Sequence, residues 1–276
     1  MLKTLQNAFK IKEVREKLLY TFFMLVVTRI GSQLPIPGVN TTFFQELFTR
    51  QSNDAFGFFN TITGGSFTNM SVFALSITPY ITSSIIMQLL TIAIPKLEEM
   101  QQEGEDGRKK IAEYTRYLTV ALALMQSVAM AIGFGGKGLL VEFTALNVIV
   151  AIVTMTAGSA MLMWIGERIT ENGVGNGISI VLLFNIISTM PSDMITLYER
   201  FLQGKIVAVA VVTAVIIVAV IVAMVVFVII YRMSERRIPV QYSKKMQGRK
   251  MVGGQSTSIP LKVNTAGVIP VIFASS

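Results

Sequence analysis

Long apolar runs separated by short polar segments dominate the hydrophobic pattern of this chain. A helix needs about 20 mainly apolar residues to cross a lipid bilayer. Six runs meet that length: 18–35, 72–94, 112–134, 143–165, 175–196 and 206–231. A seventh begins at Asn264 and has too few residues before Ser276 to span. The pattern predicts an all-α polytopic membrane protein with six complete transmembrane helices and the start of a seventh, in a chain cut short within that helix.

The basic residues between these runs are divided unevenly between the two sides of the membrane. On the side of the amino terminus, Lys and Arg number five in 1–17, five in 96–117, one in 167–177 and eight in 232–263. The opposite side holds only four. Because loops rich in Lys and Arg stay in the cytoplasm, the sequence predicts a cytoplasmic amino terminus. Residues 1–17 are basic and amphipathic, so we expect them to lie on the cytoplasmic membrane face.

The basic segment 232–263 has the pattern of a β-hairpin. Ile238, Val240 and Tyr242 alternate with more polar neighbours before a turn signal at Gln247 and Gly248. Eight basic residues stand in this segment against a single acid, Glu235. They indicate either attraction to anionic lipid or docking to ribosomal RNA or an acidic protein.

On the opposite side, the segment 38–71 contains an apolar stretch that is too short to span. Five large apolar residues surround the pair Gly64 and Gly65; they are Phe56, Phe58, Phe59, Ile62 and Phe67. A turn in water has no need of such neighbours, so we expect the protein to shelter this stretch.

The composition excludes several classes of chemistry. The chain is 52% hydrophobic and 14% charged, and it contains no Cys and no His. Disulfides and His- or Cys-dependent metal and catalytic sites are therefore excluded, and we expect no cofactor, no metal and no catalytic residue. The fingerprint match GFGGKG, Gly133 to Gly138, opens no βαβ unit, so we interpret it as chance.

Two other classes remain as alternatives. An ion-coupled secondary transporter usually needs a carboxylate within its spans, and an ion channel is kept beside it as an alternative. An intramembrane hydrolase would need a Ser/Lys or paired-Asp site. Away from their end turns, the predicted spans contain no Asp, Glu or Lys to complete either site, and the one charged residue there is Arg29. Its long side chain is predicted to snorkel or to cap neighbouring carbonyls, which is a structural role.

The second span begins with polar groups, in SITPYITSSIIMQLL at 76–90. Pro79 is tolerated in a first helical turn, and Ser76 or Thr78 can cap that turn, so the helix is predicted to begin within the protein. Ile77, Ile81, Ser84 and Gln88 share one helix face. This face fits a pore wall that passes from dry to wet, or ordinary interhelical packing.

Five stretches carry a resemblance to a known family. They are RIGSQLPIPGV, SITPYITSSIIMQLL, EGEDGRKKIAEYTRY, WIGERITENGVGNGIS and QSTSIPLKVNTAGVIPVIFASS. Their order and the loop lengths between them agree with the same family. Over its whole length, the chain resembles the N-terminal part of SecY, the central subunit of the bacterial protein-conducting channel.

The resemblance implies a ten-helix channel built from two halves related by an inverted repeat. Residues 18–196 would form the first five-helix half and 197–276 the start of the second. Residues 232–263 would form the cytoplasmic hairpin after span six. A mid-membrane ring of aliphatic side chains would comprise Ile77, Ile81, Ile178, Leu182 and Ile272, where the family commonly has isoleucine in place of Leu182.

The resemblance also implies a plug and a lateral gate. The plug segment would be 56–70, with its centre at Phe58, Phe59, Asn60, Thr61, Ile62, Thr63, Gly64, Gly65, Ser66, Phe67 and Thr68. The lateral gate would include Ser84, Gln88 and Val268.

From the same resemblance we expect a channel in the bacterial plasma (inner) membrane. It would pass unfolded secretory polypeptides and release hydrophobic segments into lipid. The expected partners are SecE, SecG, the SecA ATPase, the ribosome with its RNA, signal sequences and membrane lipid. SecA and the ribosome would bind Arg236, Arg237, Lys244, Lys245, Arg249 and Lys250.

Overall fold

A computed structural model describes residues 10–42, 54–203, 207–240, 245–247, 250–252, 257–265 and 267. The chain divides into two compact units, with the boundary between Ser192 and Asp193 inside a helix. Each unit is described by itself.

The first unit is a bundle of helices. Their bounds are α1 Lys12–Gln33, α2 Asp54–Thr63, α3 Thr78–Ala93, α4 Pro95–Gln102, α5 Glu105–Phe134, α6 Ala145–Asn172 and α7 Gly177–Phe201, the last of which crosses the boundary. Helix α5 lies against both α3 and α6, and α6 also contacts α1. A π-helical turn at Gly135–Leu139 follows α5.

Two apolar clusters stabilise this bundle. One joins the segment before α3 to α5 and α6, through residues such as Met70, Ala123 and Met155. The other joins Phe73 to α6 and α7, through Ile165 and Val181 among others. Both clusters include residues that precede α3, so this non-helical segment is part of the core.

Four of the helices in the described ranges are long and apolar enough to cross a membrane. They are α5, α6, α7 and the part of α8 (Val207–Met233) from Val209 to Met233, and they coincide with four of the predicted runs. Helices α3 and α4 together form a fifth candidate, which bends by 102° between Ala93 and Pro95. The Pro95 ring fixes the backbone at the first turn of α4 and explains why the helix does not continue.

Helix α1 contains most of the predicted first span but does not meet the same standard. Every window of eighteen residues within it includes Glu16, Lys17 and Arg29. Its charged first turns shorten its apolar part. The first of the six predicted spans therefore stays a prediction from the sequence. The residues Lys12 to Lys17, predicted to lie on the membrane face, are continuous with this helix.

The second unit contains helix α8 and four strands, β1 Glu235–Val240, β2 Lys245–Gln247, β3 Lys250–Val252 and β4 Thr257–Lys262. Strand β1 pairs with β4 and β2 with β3, both antiparallel. Because β2 and β3 lie between β1 and β4 in the chain, the two antiparallel pairs have the nested order of a hairpin. This order confirms the predicted strand pattern. Gln247 faces Lys250 across the tip, as the turn signal at Gln247 and Gly248 predicts.

Candidate functional site

Helix α3 begins inside the protein. Ile77 is the residue before its first turn and is fully buried, as are Leu75 and Ser76 next to it. Pro79 lies in the first turn, where its missing N–H leaves no hydrogen bond unmade. The helix starts six residues later than the apolar run at 72–94, because residues 72–77 form turns that pack in the core.

The predicted caps of α3 are wrong. No side chain caps this helix. The Ser76 hydroxyl oxygen instead accepts a hydrogen bond from Asn185 Nδ2 at 3.3 Å, and the Ser76 carbonyl accepts one from Ser159 Oγ at 3.2 Å. Thr78 Oγ1 is buried and, among the described residues, has no hydrogen-bond partner. Ser76 therefore bonds Ser159 of α6 and Asn185 of α7, which are distant in the chain, and does not cap its own helix.

Helix α7 begins against α6, and local polar groups fix its start. The Asn176 side-chain oxygen accepts from the N–H groups of Ile178 and Ser179, at 3.1 and 3.3 Å, which is an N-cap. The N–H of Gly177 donates to Thr170 Oγ1 of α6 at 2.9 Å. A Cβ atom on Gly177 would collide with the carbonyl of Gly166 in α6. Glycine at 177 therefore lets the two helices approach at backbone distance.

The starts of α3 and α7 bring together two of the predicted ring residues. A Cβ atom built on Gly166 would lie 3.1 Å from Ile178 Cγ1 and 3.6 Å from Ile77 Cδ1, so both isoleucines meet at one point on α6. Ile81 and Leu182, one turn further along each helix, are half-buried. The prediction of Ile272 lies outside the described residues.

The predicted plug segment is a short helix followed by a tight turn. Helix α2 ends at Thr63, and Gly64 and Gly65 follow with φ of +68° and +81°, a backbone region that favours glycine. The Asn60 side-chain oxygen accepts from the Thr68 hydroxyl at 3.1 Å and closes the turn. The backbones of Phe58 and Phe59 belong to α2, and Ile62 and Thr61 are half-buried.

The turn after α2 is the best sheltered part of this segment. Its buried residues are Thr63, Gly64, Ser66, Phe67 and Met70. The expectation that the protein shelters this stretch is met here by contacts with α1 and α7. Arg29 Nη1 of α1 donates to the Gly64 carbonyl at 3.0 Å. The Gly64 Cβ position lies 3.1 Å from Asn185 Cα of α7.

Two backbone pairings tie the segment that contains α2 to the bundle at both ends. The Ile36 N–H donates to the Met70 carbonyl at 3.0 Å, and the Val72 N–H donates to the Leu34 carbonyl at 2.9 Å. The start and the end of this segment are therefore neighbours.

The predicted gate residues Ser84 and Gln88 line a cavity of about 310 Å³ between α3, α4 and α5. Its other lining residues are Tyr80, Met87, Thr91, Gln101, Arg108, Ile111, Ala112 and Thr115. The wall is mixed in polarity, with one guanidinium at Arg108. The prediction of Val268 lies outside the described residues.

The predicted docking residues lie on the hairpin of the second unit where the structure describes them. Arg236 and Arg237 are exposed in β1 and pair in register with Leu261 and Pro260. Because successive strand residues point to opposite faces, these two arginines occupy opposite faces of the hairpin. Lys245 and Lys250 belong to β2 and β3. Lys244 and Arg249 lie outside the described residues.

Sequence reasoning missed three residues that organise the site. Gly166 and Gly177 set the approach of α6 and α7, and Asn185 joins the segment around Gly64 to Ser76. The triplet GNG at 175–177 indicates a turn but not a helix contact. Asn185 is a polar residue within an apolar run, and this was the only signal that could have identified it.

These features define a class: a polytopic α-helical membrane protein in which the buried start of one helix meets the first turn of another on a third helix, beside a short helix that ends in a buried turn. The sequence model of the SecY family matches residues 71–276, and the chain belongs to this family.

A curated relative supports the same assignment. The "Protein translocase subunit SecY" of Halalkalibacterium halodurans is 44% identical over 281 residues, which cover 100% of this chain and 65% of the relative. The chain thus spans just under two thirds of the length of that relative.

Two solved structures share the fold. One is canine Sec61 in a ribosome-channel complex from the endoplasmic reticulum, with a TM-score of 0.60 and 21% identity, covering 95% of this chain and 56% of that chain. The other is a SecY protein whose plug domain is described as stabilising the closed state of the translocation channel and maintaining a membrane seal. It has a TM-score of 0.61 and 20% identity, and the match covers 95% of this chain and 55% of that chain.

Proposed function

We propose that this chain forms part of a protein-conducting channel that passes unfolded secretory polypeptides across the bacterial plasma membrane and releases hydrophobic segments into lipid. The observation that carries the proposal is the meeting of Ile77 and Ile178 at Gly166, at the starts of two different helices. Family membership and the translocase name of the relative agree with it.

In this proposal, the aliphatic ring consists of Ile77, Ile81, Ile178, Leu182 and Ile272. The pairs at 77/81 and 178/182 are each spaced by four residues, so each helix presents two aliphatic side chains on one face. A narrow aliphatic constriction loses its water, and an ion would have to shed its hydration there without replacement. A polypeptide can pass because aliphatic side chains move aside and offer no hydrogen bonds that would hold it.

The segment from Phe58 to Thr68 is the proposed plug, and Ser84, Gln88 and Val268 belong to the proposed lateral gate. The support for the plug is its burial against α1 and α7 around Gly64. For the gate, the support is the cavity of about 310 Å³ beside Ser84 and Gln88. A sufficiently apolar segment that leaves through a gate into lipid gains about 25 cal/mol per Å² of apolar surface removed from water.

We further propose the finer architecture of the family for this chain. It would contribute the first five-helix half of a ten-helix inverted repeat and the start of the second half, with six complete spans and a cytoplasmic amino terminus. The uneven distribution of Lys and Arg supports this orientation.

The proposed partners are the ribosome, the SecA ATPase, SecE and SecG, together with translocating chains and their signal sequences. A solved relative stands in a ribosome-channel complex, and the exposed Arg236 and Arg237 offer charges that attract ribosomal RNA. Lys244, Lys245, Arg249 and Lys250 would add to the same docking surface.

The complete chain should restore protein export in a bacterium depleted of its own SecY. Two versions are compared, one intact and one without Phe58 to Thr68. We expect both to restore export, and the deleted version to raise the ion conductance of the resting membrane because the seal below the ring is lost. A complete chain that inserts into the membrane but restores no export would overturn the proposal, and unchanged conductance after the deletion would overturn the plug.

A further inference from the structure

Arg29 lies in the interior of α1 among apolar residues and is half-buried. Its Nη1 donates to the Gly64 carbonyl at 3.0 Å and lies 3.5 Å from Ser32 Oγ. Among the residues that the structure describes, no carboxylate forms an ion pair with it. A guanidinium within a span is costly unless its donors are used. The Gly64 carbonyl is thus a principal partner of this charge.

Gly64 is held on two sides. Arg29 binds its carbonyl from α1, and on the other side a Cβ atom at Gly64 would lie 3.1 Å from the Cα, Cβ and carbonyl oxygen of Asn185. Its φ of +68° is also a value that other residues rarely adopt. The lack of a side chain at 64 therefore allows the turn to reach both helices at once.

Asn185 is itself held by a hydrogen bond to Ser76, the residue two positions before α3. It is 7% exposed, and its Nδ2 donates to Ser76 Oγ at 3.3 Å. Ser76, with φ of +52°, is held in turn through its carbonyl by Ser159 Oγ of α6. Asn185, which lies against Gly64, is thus connected to the start of α3 and through Ser76 to α6, while Arg29 of α1 donates to the Gly64 carbonyl.

We propose that Arg29 is a positioning residue that latches the plug in its seat. It does so by holding the Gly64 carbonyl against Asn185. This inference rests on the proposed function, because it assigns a role in the closed state to a residue of the proposed channel. The bond joins a side chain to a backbone oxygen 35 positions away, so movement of the turn away from α1 has to break it. The seat itself, made by Asn185 and Ser76, stays assembled when the turn leaves.

The natural absence of cysteine provides a clean test with the complete chain in lipid nanodiscs. Ser66→Cys places a thiol in the turn, where Ser66 is 2% exposed, and Ser127→Cys places one in α5, where Ser127 is fully buried and its hydroxyl is hydrogen-bonded to Thr156 of α6. Each reporter is combined with Arg29, Arg29→Lys or Arg29→Met, and the rate of reaction with a small thiol reagent is measured. Methionine keeps the apolar length of the side chain and removes every donor.

We expect Arg29→Met to speed labelling of Ser66→Cys by about tenfold or more, since hydrogen bonds to charged groups contribute substantially to stability. Arg29→Lys keeps a charged donor and should restore part of the protection. Labelling of Ser127→Cys should stay unchanged in all three. Equal protection of Ser66→Cys with Arg29 and with Arg29→Met would overturn the latch and leave the plug intact.

Two further results also count against the proposal in distinguishable ways. Faster labelling of both reporters after Arg29→Met would show that Arg29 stabilises the whole bundle and does not act on the turn alone. Rapid labelling of Ser66→Cys in the chain with Arg29 would show that the turn is not seated, and this result would overturn the proposed plug itself.

Discussion

At the scale of single residues, the interior of the bundle depends on side chains whose size decides how close two helices come. Ile77 and Ile178 meet at Gly166, and Gly177 meets the Gly166 carbonyl. Aliphatic contacts and small residues therefore alternate within a short length of α6 and α7. A change of one methyl group or one polar group at these positions has a specific expected result.

Replacing Ile81 with asparagine should make the resting, complete channel conduct ions. The amide offers hydrogen bonds to water and ions where the proposed ring offers none, so the constriction would hold water. Single-channel or vesicle conductance is the measurement, and Ile81→Leu, which keeps an aliphatic side chain, is the control. Equal conductance of Ile81→Asn and Ile81→Leu would remove Ile81 from the ring.

Replacing Gly177 with alanine should destabilise the protein by about 1–3 kcal/mol, the usual cost of overpacking. The added Cβ atom would collide with the Gly166 carbonyl, a backbone atom that cannot rotate away. Thermal unfolding of the purified chain is the measurement. Gly133→Ala is the control: nothing lies within 4 Å of that Cβ position in α5, so it should raise stability by roughly 0.5–1 kcal/mol. Equal effects of both changes would contradict the close approach.

At the scale of elements, the sequence predicts what periodicity and length can reveal. The long apolar runs of α5 to α8 and the alternating strand pattern before Gln247 are both confirmed. The predicted start of α3 within the protein is met as well, but the first six residues of the run 72–94 form turns and not helix, because their burial in the core depends on α5, α6 and α7, which no local pattern contains. Ser76 illustrates the reason: locally it suits a cap, yet its hydroxyl bonds Asn185, 109 positions away.

The same limit applies to Arg29 and to the candidate site. The sequence predicts that its side chain snorkels or caps carbonyls, but the identity of Gly64 as the partner follows only from the position of the turn after α2 beside α1. The ring positions came from resemblance to a family. Their shared contact point at Gly166 required coordinates, because it depends on the approach of α6 and α7.

The hairpin of the second unit provides a prediction at this scale. Reversing Arg236 and Arg237 to Glu should weaken ribosome binding by the complete chain, more strongly at low salt. If both arginines contact phosphates, the dependence of the logarithm of affinity on the logarithm of salt concentration should fall in slope by about two. Sedimentation with ribosomes over a salt series measures this effect.

Two comparisons make the hairpin experiment decisive. Arg200→Glu changes the same charge on the predicted opposite side of the membrane and should leave ribosome binding unchanged. Since Arg236 and Arg237 lie on opposite faces, the single reversals report which face docks. A loss of binding that does not vary with salt would contradict an electrostatic contact and indicate misfolding of the hairpin.

At the scale of the whole molecule, orientation in the membrane decides which partners each loop can meet. The segments 96–117 and 167–177 are predicted to face the cytoplasm, while the turns after α5 and α7 are predicted to face the opposite side. Only with this orientation do the basic hairpin and the ribosome share a compartment, and only then does the turn around Gly64 close the side opposite to the ribosome. Docking of the ribosome at the hairpin and closure by the turn around Gly64 therefore both require the predicted orientation in the membrane.

Single cysteines can establish that fact, because the chain has none of its own. Gln102 and Asn172 are exposed near the predicted cytoplasmic ends of α4 and α6, and Glu142 and Gln203 are exposed on the predicted opposite side. In intact cells that produce the complete chain, a membrane-impermeant thiol reagent should label cysteine at 142 and 203 but not at 102 and 172. Opening the cells should expose all four, which controls for reactivity. The reversed pattern would place the basic hairpin outside the cytoplasm, where neither the ribosome nor an ATPase could reach it.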